Sequence, residues 1–168
     1  DQRSKLTARI VQTGGVSFLL KRTAVGVAGF VNGDTEASLD TPVTLSTVAD
    51  ATSAVGNYDI VAAGASDANY TVTFVAGTLT VNPVALTITA SLQSVVYGAG
   101  TTLSGTAFTS SGLVNGDTVS TVLAKYNNSA SVDVLTNAGV YANSIVLSSA
   151  SGVGLSNYTL QYSTGTLT

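Results

Sequence analysis

Side chains that move protons or hold metals are scarce in this chain. Histidine and cysteine are absent, Glu36 is the single glutamate, and eight aspartates are spread over 168 residues. General acid–base work, a nucleophile–base triad and paired-carboxylate hydrolysis each need groups that are missing or never paired at a repeated spacing. Gly98 and Gly100 form a Gly-x-Gly, but no helical pattern follows, so the phosphate cradle that such glycines build is not expected. The chain therefore reads as a non-enzyme, with no catalytic residues and no cofactor. Aspartates, tyrosines and asparagines remain to be explained.

Asp34 and Asp117 occupy equivalent places in GFVNGDT at 29–35 and GLVNGDT at 112–118, two heptads 83 positions apart. A calcium loop requires several closely spaced oxygen ligands, and each heptad offers one nearly solitary aspartate, so no metal site is expected. Asn-Gly favours a type I′ turn, whose two central residues need positive φ. On that reading Asp34 and Asp117 bond nearby backbone N–H groups, or cap one helical turn such as TEASL at 35–39.

Tyr58 and Tyr141 each follow a glycine by two residues, Gly56 and Gly139. A tyrosine so placed at a strand entrance can bury its ring and bond its hydroxyl to backbone upstream, as a tyrosine corner does. Tyr97, Tyr126 and Tyr162 are candidates for a sugar-stacking platform, although no spacing singles them out, and the ligand-binding residues stay unknown. Asn69, Asn127 and Asn157 each begin an Asn-x-Ser/Thr glycosylation pattern. Two of these three lie on a repeated NYT, which accounts for the match by itself.

The elements that must position these residues come in two copies. VGNYDI at 55–60 answers GVYANSI at 139–145, and NYTVTFVAGTLT at 69–80 answers NYTLQYSTGTLT at 157–168. The second copy holds five extra residues between Tyr141 and Asn157, as a surface loop tolerates. Val72, Phe74, Leu79 and Val81 alternate about Val75-Ala76-Gly77, which predicts a hairpin. ALTITA at 85–90, STVLAKY at 120–126 and YANSIVL at 141–147 are expected strands. The copies meet at Val81-Asn82-Pro83, where proline supplies no ladder N–H and keeps Asn82 extended. Two modules, 1–82 and 83–168, are expected, with a stiff junction and an elongated whole.

Composition limits the partners. Residues 1–22 carry Arg3, Lys5, Arg9, Lys21 and Arg22 against Asp1, while Lys125 is the only cation among residues 23–168. A mildly acidic body disfavours nucleic acid, which is gripped through clustered Lys and Arg. No stretch approaches the roughly 20 consecutive apolar residues of a membrane span, so no membrane insertion is expected.

Taken together, QSVVYGAG at 93–100, the two heptads, the Gly-x-Tyr elements and the NYT…GTLT endings resemble MBG domains of the YGX type and the related YDG modules. Such modules recur in tandem in large bacterial surface exoproteins of the filamentous-haemagglutinin and adhesin class. The resemblance covers module 2 almost end to end and module 1 from about Gly29. It implies mainly β modules, either a sandwich or a β-grasp-like sheet with at most one short helix. It also implies an extracellular setting, at the bacterial cell surface or secreted. The role implied is a stalk that presents an adhesive region, and the alternative is that the modules bind host glycan or protein as lectin-like units. Neighbouring modules of the same chain are the expected partners, with a host glycan or surface protein as a further one.

Module 1 departs from this pattern before Gly29. No Tyr-Gly pair occurs there, residues 1–24 are atypical, and a counterpart of ALTITA is expected to be missing. Codons can be chosen for Lys5 to Gln12 that, read from the third base, give Ala-Tyr-Gly-Ala-Asp-Ser-Pro. A reading-frame slip is thus one origin for the segment, and a divergent hairpin, IVQ-TGG-VSFLL, is the other. The chain lacks an initial Met, so an excerpt of a longer protein is expected.

Overall fold

The computed structural model describes residues 4–10 and 25–168, with side chains from residue 28 onward. The chain divides into two compact units, Asp1–Asn82 and Pro83–Thr168. Strands dominate both, as the Val, Ile, Thr and Tyr content and the alternating pattern require, and the only helical pieces among the described residues are two three-residue 3-10 turns.

Unit 1 contains β1 (Ser4–Ile10), β2 (Val25–Ala28), β3 (Thr44–Ser46), β4 (Gly56–Ala63), β5 (Tyr70–Phe74) and β6 (Gly77–Val81). They form two three-stranded sheets, ordered β2-β1-β5 and β3-β4-β6. Unit 2 contains β7 (Val84–Ala90), β8 (Thr101–Thr102), β9 (Phe108–Ser111), β10 (Thr118–Tyr126), β11 (Ser131–Val132), β12 (Tyr141–Val153), β13 (Tyr158–Ser163) and β14 (Gly165–Leu167). Its main sheets are β13-β7-β9 and β10-β12-β14, with β8 and β11 as a small separate pair.

The core of unit 2 explains why it is a sandwich. Leu86, Ile88 and Ala90 alternate inward on β7, and Val122, Ala124 and Tyr126 do so on β10. Ile145 and Leu147 of β12 and Leu167 of β14 join them in one buried cluster. Each sheet thus buries one face against the other, the pattern that period-two alternation builds. In unit 1 the described core gathers Leu39, Ala65 and Tyr70, with Phe30, Val43 and Val72 packed on it.

Three expectations are corrected. The place of ALTITA in module 1 is not empty: β1 pairs parallel with β5, Ser4 opposite Tyr70, as β7 pairs parallel with β13, Val84 opposite Tyr158. By that register Leu6-Thr7 corresponds to Leu86-Thr87, a match too short to stand out once the spacing between copies had changed. The hairpin about Val75-Ala76-Gly77 does not form. β5 pairs with β1 whereas β6 pairs with β4, so the segment is a corner that carries the chain from one sheet to the other. Alternation identifies strands but not their partners, and in a two-sheet sandwich consecutive strands can belong to opposite sheets. The additional residues of module 2 do not make a surface loop. They lie within β12, which runs 13 residues, is irregular between Tyr141 and Ile145, and holds Asn143 and Ser149 at positive φ. The proposed IVQ-TGG-VSFLL hairpin falls almost wholly outside the described residues.

Candidate functional site

The two heptads fold as their Asn-Gly pairs predict. Asn32 and Gly33 have φ of 57° and 82°, and Asn115 and Gly116 have φ of 56° and 77°. The Asp34 N–H donates to the Val31 carbonyl at 3.0 Å, and the Asp117 N–H donates to Val114 at 3.0 Å. Positive φ at both central residues with a closing i to i+3 bond defines a type I′ turn.

A tyrosine from the distant NYT element enters each turn. The Tyr70 hydroxyl donates to Asp34 Oδ2 at 2.6 Å and accepts the Val31 N–H at 3.2 Å. In module 2 the Tyr158 hydroxyl donates to Asp117 Oδ2 at 2.9 Å and accepts the Val114 N–H at 2.9 Å. Tyr70 and Tyr158 are the first residues of β5 and β13, and both are buried. Phe30 of the first heptad meets the Tyr70 ring edge-on at a centroid distance of 5.6 Å. One hydroxyl thus ties the start of the turn to its end and pins both to the sheet. Hydrogen bonding to Asp34 raises the Tyr70 pKa. Burial, with a contribution from Asp117, raises that of Tyr158.

This arrangement corrects the role expected of the aspartates. Neither carboxylate caps a helix: the 3-10 turn Glu36–Ser38 has Thr35 at its N-cap, with Ser38 Oγ accepting the Thr35 N–H at 2.9 Å. Both carboxylates accept from tyrosine instead. The sequence held the signal in the repeated NYT, which draws attention as a glycosylation pattern while its tyrosine does the structural work. Gly154, with φ of +76°, matters for the same reason, since any Cβ there would run into the Asp117 carboxylate.

Tyr58 and Tyr141 make the expected upstream bond, although both are half-buried rather than buried. Their hydroxyls donate to the backbone four residues upstream, Tyr58 to Ala54 and Tyr141 to Asn137, each at 2.7 Å. The sugar-platform candidates separate. Tyr126 is buried against Tyr141 at a ring distance of 5.7 Å and cannot receive a sugar. The Tyr162 hydroxyl accepts the Ala150 N–H at 3.0 Å. Tyr97 remains open, 65% exposed, beside the exposed Val96. Both line a shallow cleft together with Val95, Asp133, Asn137 and Tyr141. Asn127 and Asn128, both at positive φ, form the tip of a tight hairpin in which Tyr126 and Ser129 exchange backbone bonds. Asn69 and Asn127 are exposed and Asn157 is half-buried.

Among the described residues no group of three or more acidic, His or Cys side chains could hold a metal ion, and no helix is long and apolar enough to cross a membrane. No curated protein and no solved structure matches the chain. The family model for the MBG domain (YGX type) matches twice in tandem, at residues 16–80 and 86–168, and together these matches cover most of the chain. Each match contains one turn and the tyrosine that locks it, so the chain belongs to the MBG domain (YGX type) family and carries two copies of that domain.

Proposed function

We propose that this segment is a structural repeat of a large bacterial cell-surface adhesin, serving in an extracellular stalk that spaces and presents a binding region. The observation that carries this reading is where the repeated polar residues are used. Asp34, Asp117, Tyr70, Tyr158, Tyr58 and Tyr141 all bond within their own module. What the two copies share is therefore devoted to holding a module together, which is the requirement of a spacer. The tandem family match supports the same reading, and no catalytic role or cofactor is proposed.

A second reading, that the modules bind host glycan or protein as lectin-like units, is favoured by one feature, the exposed Tyr97 in a cleft shared with Asp133 and Asn137. Aromatic faces with polar neighbours suit such contacts. Module 1 has no Tyr-Gly pair in the place of Tyr97-Gly98, so any such surface would belong to module 2 alone. Screening the chain on a glycan array and against host matrix proteins separates the two. The spacer reading expects no specific binding, and micromolar or tighter binding lost in Tyr97→Ala would replace it with the lectin-like reading.

A further inference from the structure

Asn-Gly is chemically the least stable dipeptide context for asparagine, and this chain places one at each turn tip, with Asn32, Gly33, Asn115 and Gly116 all exposed. In the reaction the backbone nitrogen of the glycine attacks the asparagine Cγ. A new N–Cγ bond forms, the Cγ–Nδ2 bond breaks, and the amide leaves as ammonia carrying the proton lost from the glycine nitrogen. Water then opens the resulting succinimide at either carbonyl, giving aspartate or a β-linked isoaspartate. No oxidant, enzyme or cofactor is required.

The geometry points to both Asn-Gly pairs as latent sites of this modification, held inert by the tyrosine lock. Attack requires the glycine nitrogen to swing over the asparagine side-chain carbon. The first central residue of a type I′ turn keeps ψ at about +30°, the mirror image of a type I turn, which holds that nitrogen away. The turn stays in this form because its first residue, Val114, and its last, Asp117, are both bonded to one tyrosine hydroxyl. The same holds for Val31 and Asp34 on Tyr70. The turn's closing bond is donated by the aspartate N–H, so it leaves the glycine nitrogen outside that bond. Only the turn's shape protects the site. Once formed, isoaspartate inserts a backbone methylene and a new carboxylate next to Asp117. Both changes oppose re-forming the lock, so the modification is a one-way loosening of a module.

The test incubates the intact chain at mildly alkaline pH and follows both sites by peptide-mapping mass spectrometry with isoaspartate detection. The free heptad GLVNGDT serves as the unprotected reference. Wild type is expected to react several-fold more slowly than the peptide at both sites. In Tyr158→Phe, Asn115 should accelerate several-fold while Asn32 in the same molecule does not. A Leu86→Ala variant, which weakens the module 2 core but leaves the lock in place, should accelerate Asn115 less than Tyr158→Phe does, once the two are compared at matched stability. Equal rates in wild type and Tyr158→Phe, a wild-type rate equal to that of the peptide, or equal acceleration by Leu86→Ala would each overturn the proposal. If Tyr158→Phe fails to fold by circular dichroism, Asp117→Ala, which removes the acceptor of the hydroxyl, takes its place, with faster reaction at Asn115 expected and a wild-type rate overturning.

Discussion

Tyr158 and Asp117, 41 residues apart in sequence, meet at 2.9 Å between the phenol hydroxyl and Oδ2, and Tyr70 meets Asp34 in the same way at 2.6 Å. The carboxylate, the turn and the tyrosine are one device built twice. This is why the heptad and the NYT element are among the best-matched stretches of the two copies: changing any one of them leaves the others without partners.

Removing one hydroxyl should therefore weaken one module. In Tyr158→Phe the Asp117 carboxylate and the Val114 N–H lose their shared partner. A hydrogen bond to a charged group is worth about 1.5–3 kcal/mol, so a loss of about 2 kcal/mol is expected for module 2 in urea denaturation. Module 1 should be unchanged, and Tyr70→Phe should give the converse.

The fold should be sensitive to alkali. Tyr70 and Tyr158 have folded pKa values raised above the ordinary 10, the first chiefly by its bond to Asp34 and the second chiefly by burial. An acid whose pKa is higher when folded loses its proton more readily when unfolded. Its stabilising effect is complete below pH 10 and disappears as pH rises through the folded value. Melting temperature measured from pH 8 to pH 12 should fall steeply above about 10, and less steeply in the double Tyr→Phe variant. Parallel profiles would exclude these two phenols as the cause.

Gly154 and Gly116 separate conformational from steric cost. Both have positive φ, +76° and +77°, but a Cβ at Gly116 meets nothing whereas one at Gly154 meets the Asp117 carboxylate. Each Gly→Ala change pays about 1–2 kcal/mol for left-handed backbone. Gly154→Ala should cost measurably more in equilibrium unfolding, and equal losses would mean that the Asp117 carboxylate can step aside freely.

Much of the fold was legible in the sequence. Val-Asn-Gly-Asp stated its turn because few residues other than Asn and Gly take positive φ cheaply. Leu86 and Ile88 stated their strand by alternation. Gly56-Asn57-Tyr58 stated a tyrosine bonded upstream. The partner of Asp117 was not legible, since nothing local ties residue 117 to residue 158, and a sequence pattern shows which groups must be satisfied but not by whom. The pairing of β5 and β6 was hidden for the same reason. Their alternation is that of a hairpin, and it does not show that β5 pairs with β1 while β6 pairs with β4. The strand Ser4–Ile10 was missed because its likeness to Val84–Ala90 is confined to register, with Leu-Thr the only shared letters.

The most direct test of the lock is a double-mutant cycle on Tyr158→Phe and Asp117→Ala, with module 2 stability read from urea unfolding followed by near-ultraviolet circular dichroism. Residues sharing a direct polar contact couple by about 0.5–3 kcal/mol, and independent ones add within about 0.5 kcal/mol. The double variant is expected to be more stable than the sum of the single losses implies, by at least about 1 kcal/mol on that scale. Strict additivity would contradict it, since the tyrosine and the aspartate would then stabilise the module separately and the repeated motifs would not be halves of one device.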